Sequence, residues 1–451
     1  MADEMTSKIV AADKFRTFLI IWIGQSISTI GFGLTAFTLS LWVYRHTNSV
    51  TQFSLVFLCA ELPGIAISFL TGSIIDRWDR RKLMICSNAG AGIGALTMAL
   101  LFATGLAQIW HLCILVALVS LSTAFLGPAF NASITLLVPK RHLGRASGLM
   151  QTSQATAQIS SPIIAGLMVL SMPIQSVLLV DFATYLIAII TLLIIKIPEP
   201  VTEAQSATKR ESIWRDAMFG WRYILGRPGL IGTFIYFAVT NFNVTMSNAL
   251  IAPLVLGFAD SVTYGTVLSV TGIGLLTGGI LMSIWGGPKQ RIYGVYFYGI
   301  AQGLALILEG LRPNAVLVAV ALFCAAFSSP VVRSCFVPIL QNKTPSDIQG
   351  RVFSALNMVS WCSVPLAYLI AGPLTDKVFE PLLKEDGALA GSVGRLIGTG
   401  QGRGIALLFI IMGLVTWLAT LKAYRSPRLR YVETELPDMI GDTLQPEGSK
   451  A

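Results

Sequence analysis

Apolar runs of about twenty residues or more, repeated along 451 residues with short polar breaks, constrain this chain more than any other feature. At a helical rise of about 1.5 Å per residue, a run that long matches the hydrocarbon thickness of a bilayer. Twelve can be read, over 17–44, 50–75, 83–106, 110–138, 147–171, 174–195, 229–257, 263–285, 291–311, 315–340, 347–375 and 404–424. They are continuously apolar rather than alternating with a two-residue period, which favours helices over a barrel. Hydrophobic residues make up 54% of the chain and charged residues only 12%, against about 25% charged in soluble domains. The reading is an all-α integral membrane protein.

The runs fall into two sets of six. Gly72, Trp78 and Lys82 recur as Gly279, Trp285 and Lys289, and Gly144-Arg145 with Ala165-Gly166 recurs as Gly350-Arg351 with Ala371-Gly372. Two echoes at nearly one offset indicate a duplicated membrane unit, as in two-halved transporters. The expected organisation is a cytoplasmic tail over 1–16, a six-helix bundle over 17–197, a cytoplasmic linker over 198–228, a second bundle over 229–425 and a cytoplasmic tail over 426–451. In the linker, Trp214, Met218, Trp221 and Leu225 recur at helical spacing, with Lys209, Arg215 and Arg222 for the other side, which reads as an amphipathic helix on the membrane surface. A packing linker without a regulatory role is its plainer reading.

With a cytoplasmic N-terminus, only Arg45, Arg312, Lys377, Lys384, Arg395 and Arg403 of 32 Lys and Arg fall on the outer side. The positive-inside rule therefore places both termini in the cytoplasm. The net charge of +9 is met by anionic headgroups, without a nucleic-acid partner. The first run is too long for a signal-peptide core and is expected to stay as an anchor. The six cysteines lie in or beside apolar runs without metal-site spacing and read as small buried hydrophobes. No metal or cofactor is expected.

Gly72, Asp76, Arg77, Arg80, Arg81 and Lys82, between the second and third runs, resemble the signature loop of the major facilitator superfamily. The wording Asp76-Arg-Trp-Asp-Arg-Arg81, with Leu137-Val-Pro-Lys-Arg-His-Leu-Gly-Arg145, is most similar to its bacterial enterobactin-exporter and macrolide-efflux branch. The resemblance covers nearly all twelve runs. It implies twelve helices in two pseudo-symmetric bundles and alternating access to a central site. An Asp near a helix end can hold Arg side chains and the positive end of a helix dipole, so Gly72, Asp76, Arg77, Arg80 and Arg81 would form a gating loop that latches one half against the other. A plain positive-inside anchor is the alternative. The second half has Ser283, Gly286 and Gly287 where the first has Asp76, Asp79 and Arg80, so the latch should be stronger in the first half. The stretch Ala157–Gly166 is similar to the superfamily's antiporter motif, with Ala or Ser at most of its glycine positions. Small residues beside Pro162 also suit close packing alone.

Charges within spans cost about 2.5–3.5 kcal/mol at a helix centre, so each needs a partner or a task. Glu61 lies eleven residues before Gly72, roughly 16 Å from the helix end and near mid-membrane. It is the leading candidate for proton coupling, against a structural hydrogen bond to a neighbouring helix. Asp181 is the second candidate. Asp181 and Glu309 are both expected towards the outer interface, in solvated or capping roles. Arg333 takes in the tenth span the place of Asn131 in the fourth.

In the superfamily fold, spans one, four, seven and ten line the cavity, which here implies Gln25, Asn131, Asn241, Thr245, Asn248 and Arg333 as substrate contacts. Neutral polar groups among aromatics such as Trp22, Phe32, Tyr236 and Phe242 suit an amphipathic organic substrate, and Arg333 could hold an anionic group on it. Interhelical hydrogen bonds are the competing role for each polar residue. No Gly-rich phosphate loop for an ATP-driven pump is present. Three histidines without clustered carboxylates leave little for a membrane enzyme. The expectation is a proton-coupled exporter of amphipathic small molecules in the cell (inner) membrane, acting as a monomer. A facilitator or importer on the same fold is the alternative.

Overall fold

The computed structural model describes residues 2–75, 78–138, 142–195, 228–288, 290–342, 344 and 349–427. The helices are α1 (Ala2–Thr47), α2 (Val50–Ile75), α3 (Arg80–Ala103), α4 (Ile109–Thr123), α5 (Leu126–Leu137), α6 (Leu143–Ser171) and α7 (Ile174–Ile194) in the first half. The second half holds α8 (Pro228–Leu256), α9 (Ser261–Trp285), α10 (Arg291–Leu311), α11 (Ala315–Asn342), α12 (Gln349–Leu374) and α13 (Arg403–Arg425). Among the described residues, ten helical stretches are long and apolar enough to cross a membrane. Two more polar helices of similar length, α6 and α12, pack among them, an arrangement consistent with the twelve expected spans.

The span boundaries depart from the sequence reading at two places. The first apolar span runs Phe15–Thr47, close to the expected start near 17, but its helix α1 begins at Ala2, so the expected N-terminal tail is helical and continuous with it. The fourth span is two helices, α4 and α5, parted at Ala124-Phe125. Pro128 explains the break, because it cannot donate to the carbonyl of Ala124 and its ring crowds that turn. The linker over 198–228, apart from Pro228, and the tail beyond 427 lie outside the described residues, as do Asp76 and Arg77.

Large apolar side chains such as Ile93, Leu100, Leu170, Ile194 and Ile284 are exposed around the perimeter, as a lipid-facing surface requires. The cysteines do not all lie inside: Cys335 is buried, Cys59 and Cys113 are half-buried, and Cys86, Cys324 and Cys362 are exposed. A thiol on a lipid-facing surface meets hydrocarbon as it would in a core, so burial is no requirement there.

Where the two halves meet decides the shape. α2 packs against α12, and α6 against α9. One hydrophobic core joins both halves, with Phe37, Phe53, Leu178, Leu250, Tyr264 and Phe409 among its members. At the opposite end each half keeps its own cluster, around Phe18, Met84 and Leu137 in one and around Phe234, Val295 and Phe336 in the other. Among the described residues, the halves thus share one core at the end carrying Thr51 and Asp376 and keep separate cores at the end carrying Asp79.

The residues of the internal repeat sit at these crossings. A Cβ at Gly166 of α6 would lie 3.0 Å from the Ser261 carbonyl oxygen of α9, and one at Gly372 of α12 would run into the backbone of Thr51 on α2. Gly265 of α9 faces the Pro162 carbonyl as closely. Ser269 Oγ on α9 donates to the Ile159 carbonyl of α6 at 2.6 Å. Small residues let the backbones approach and bond directly.

Candidate functional site

Glu61 and Asp181 line one cavity inside the first half, of about 280 Å³. Its polar lining comes from Thr35 on α1, Glu61 on α2, Ser120 and Thr123 on α4, and Asp181 and Tyr185 on α7, set among Phe32, Phe57 and Met98. Asp181 is only 1% exposed, so it does not take the solvated or capping role expected near the outer interface. Thr35 Oγ1 donates to Asp181 Oδ2 at 2.6 Å, and Thr184 Oγ1 lies 3.5 Å from Oδ1. Its depth follows from helix packing, since Gly31 of α1 lies against Asp181 and Thr184 and admits α7 closely. Glu61 faces the cavity with its side chain exposed. Two residues on, Pro63 interrupts the bonding of α2. The amide of Gly64 donates instead to Ser120 Oγ on α4 at 3.1 Å, tying the loosened turn to the cavity wall.

A second cavity of about 640 Å³ lies in the other half, lined by Tyr236, Thr240 and Asn241 of α8, Tyr298 of α10, Arg333 and Phe336 of α11 and Ser360 of α12. Arg333 projects into it with an exposed side chain, and Asn241 Nδ2 donates to the Ser360 carbonyl at 3.2 Å. Of the six residues expected to contact substrate, only Asn241 and Arg333 are brought together here. Gln25 is buried on α1; Asn131 on α5 and Asn248 on α8 are exposed; Thr245 is buried and donates to the Asn241 carbonyl at 2.9 Å. None of these four lines either cavity. Thr245 spends its hydroxyl on its own helix, the usual alternative for Thr in an apolar setting.

The described part of the signature loop turns back onto its own half. Asp79 caps α3 by accepting from the Arg81 and Lys82 amides at 2.8 and 3.3 Å. Arg81 donates from Nε to the Leu192 carbonyl and from Nη2 to the Leu193 carbonyl, both at 2.8 Å, and so closes the C-terminal end of α7. Arg80 Nη1 donates to the Ala132 carbonyl of α5 at 2.7 Å. Gly72 lies in the last turn of α2. Neither Arg80 nor Arg81 bridges the halves through these bonds, because their acceptors Ala132, Leu192 and Leu193 all belong to the first half.

One interhalf contact was not legible in the sequence. Beyond α12 the chain makes a π-helical turn, Thr375–Phe379. From it Asp376 accepts from Ser49 Oγ (2.8 Å), Val50 N (3.2 Å), Thr51 N (2.9 Å) and Thr51 Oγ1 (2.8 Å) at the start of α2. Ser49 and Thr51 before an apolar run are a helix-start signal. Nothing local shows that the capping carboxylate comes from the other half.

The family model described as the Major Facilitator Superfamily matches residues 21–368. The chain belongs to the major facilitator superfamily. It is 26% identical over 368 residues to macrolide efflux protein A of Streptococcus pyogenes, covering 80% of this chain and 90% of that protein. Multidrug efflux pump Tap of Mycolicibacterium fortuitum is 21% identical over 369 residues, covering 79% and 89%. Among solved structures, the nucleoside transporter NupG superposes with a TM-score of 0.70 at 13% identity, over 91% of this chain and 99% of that one. The xylose transporter XylE from E. coli in an inward open conformation gives 0.63 at 13% identity, over 91% and 96%. The superfamily member described here is thus a multi-pass transporter of small molecules whose curated relatives include named efflux proteins.

Proposed function

We propose that this transporter exports amphipathic small molecules across the bacterial cell (inner) membrane in exchange for protons, by alternating access, with both termini in the cytoplasm. The observation that carries the reading is the meeting of Glu61 and Asp181 in one cavity. Two carboxyl groups in one membrane cavity, with no cation paired to either among the described residues, can each bind and release a proton when solvent access changes. The aromatic and aliphatic walls, with few polar groups, suit an organic molecule better than an ion. The efflux names of the relatives support export, and the distribution of Lys and Arg supports cytoplasmic termini.

On that orientation the fused end with Asp376 is the outer one, and the end where the halves keep separate cores is the cytoplasmic one. Asn241 and Arg333 then meet substrate from the second half, with Arg333 available to an anionic substituent. Gly72, Asp76, Arg77, Arg80 and Arg81 act in the opposite conformation, when the halves close at the cytoplasmic side. Both halves of the site come from one chain, so a monomer suffices.

A facilitator or importer is favoured by one observation, that the fold is shared with a D-xylose–proton symporter. The experiment follows a panel of lipophilic cations, macrolides and siderophores in liposomes bearing purified protein and an imposed pH gradient, with Glu61→Gln and Asp76→Asn alongside. Gradient-driven movement that disappears in Glu61→Gln is the expected result. Movement indifferent to the gradient would replace the exporter by a facilitator, and substrate accumulation in expressing cells would replace it by an importer.

A further inference from the structure

A third membrane carboxyl, Glu309 near the end of α10, belongs to neither cavity. It is 1% exposed, Ser247 Oγ of α8 donates to its Oε2 at 3.3 Å, and its Oε1 has no hydrogen-bond partner among the described residues. The expectation of a solvated or capping role fails here too, because α11 and α13 pack along α10 and Ser247 of α8 bonds the carboxyl itself.

Glu309 ends a seam of buried polar side chains that starts in the larger cavity. On α8, Tyr236, Thr240, Asn243 and Ser247 follow at steps of four, three and four residues, so they share one face. α13 opposes them with Thr420 and Thr416. Tyr236 Oη and Thr420 Oγ1 are 3.2 Å apart, and Asn243 Nδ2 donates to Thr416 Oγ1 at 2.9 Å. Thr240, Asn243, Ser247, Thr416 and Thr420 are each at most 4% exposed, whereas Tyr236 and Thr240 also line the cavity. Thr420 Oγ1 donates to the Thr416 carbonyl at 2.8 Å, while the steps from Thr240 to Asn243 and from Asn243 to Ser247, each about one helical turn, carry no direct side-chain bond.

Polar groups buried in a membrane bundle are costly unless they pair or serve transport. A structural hydrogen bond accounts for Asn243 with Thr416. It does not account for a carboxyl group with one oxygen unpaired and no cation paired with it among the described residues. Of the charged and titratable groups around it, Arg403 at the start of α13 donates from Nη1 to the Ile397 carbonyl at 3.2 Å, Arg312 three residues on is exposed and forms no ion pair with Glu309 among the described residues, and Tyr298 and Arg333 line the cavity at the far end of the seam.

We propose that Glu309 is a second proton-binding site, loaded and unloaded along the α8–α13 seam from the cavity of the second half. It rests on the proton-coupled reading above and extends it from one half to both. In the cycle a proton enters from the cavity, resides on a Glu309 oxygen and leaves by the same seam when the cavity changes sides.

The test is pH-jump infrared difference spectroscopy on purified protein in liposomes, with transport of a fluorescent lipophilic cation measured in parallel. The expected spectrum has a protonated-carboxyl carbonyl band that is lost as pH rises. That band should be absent in Glu309→Gln and kept in Glu61→Gln and Asp181→Asn. Gradient-driven transport should fall in Glu309→Gln while dye exchange at equal pH on both sides persists. A difference spectrum of Glu309→Gln identical to the wild type would overturn the proposal. Should that variant fail to fold, Ser247→Ala keeps the carboxyl and removes its hydroxyl partner, and an unshifted band would overturn it equally. A wild-type protein without any gradient response would remove the exporter reading, while the spectrum still decides Glu309.

Discussion

Asp376 Oδ2 accepts both the amide and the hydroxyl of Thr51, at 2.9 and 2.8 Å, and these bonds close the α2–α12 crossing between halves. A carboxylate at a helix N-terminus satisfies amides left free by the helix and opposes the positive end of its dipole. Asp376 sits at the crossing that must part if the transporter is to open at that end.

Replacing it should therefore bias the conformational equilibrium. Hydrogen bonds to a charged group contribute about 1.5–3 kcal/mol, and the half-buried setting of Asp376 puts the loss towards the lower figure. Asp376→Ala should shift the population about tenfold towards separation at this end. Spin-label distances between α2 and α12 would measure it. An unchanged distance distribution would remove Asp376 from the gate.

Thr35 tests how the first cavity is organised. Thr35→Val removes the only side chain from α1 that bonds the Asp181 carboxyl among the described contacts. The pH dependence of gradient-driven transport should move in this variant, while Asp181→Asn should abolish gradient coupling as Glu61→Gln does. Wild-type pH profiles for all three would leave the carboxyl pair with a packing role.

At the α6–α9 crossing, Gly265→Ala should separate helices that now touch through backbone. The added methyl meets the Pro162 carbonyl, whereas a Cβ at Gly279 meets nothing within 4 Å. Overpacking of this kind costs about 1–3 kcal/mol. Thermal unfolding in detergent should show the loss for Gly265→Ala and almost none for Gly279→Ala.

Arg81→Ala should uncap α7 and cost about 1–3 kcal/mol, since two carbonyls lose charge-assisted donors. Arg81→Lys should recover only part of the loss, because an ammonium cannot present two fixed N–H groups to Leu192 and Leu193. Full recovery by Lys in thermal melts would show that charge alone matters.

Asp260, which caps α9 by accepting from the Thr263 amide at 2.9 Å, carries a pH signature. Hydrogen bonds from the Thr263 side chain and backbone hold its carboxyl below the usual range. A carboxyl lowered in the folded state adds stability that is present above its ordinary pKa and lost as pH falls through the folded value. Asp260→Asn should flatten the acid side of the stability profile below the ordinary carboxylate pKa of about 4. An unchanged acid limb in thermal melts would assign that limb to other groups.

Much of this protein was legible as sequence because a bilayer makes span formation a local matter. With no water to satisfy free amides and carbonyls, each apolar run must close its own hydrogen bonds as a helix. Length and hydropathy therefore placed the spans, and the echo of Ala165-Gly166 in Ala371-Gly372 marked the duplication, while only packing set Gly166 and Gly372 at the crossings between halves. Glu61 and Asp181 could be singled out because charge is expensive there. What tertiary packing alone decided is which of these groups face each other. Thr35 and Asp181 are 146 residues apart and Thr51 and Asp376 are 325 apart. No local propensity relates such positions, so their meeting depends on how the helices pack. The same packing buried Asp181 and Glu309, turned Arg80 and Arg81 onto their own half, and chose which end of the molecule is closed.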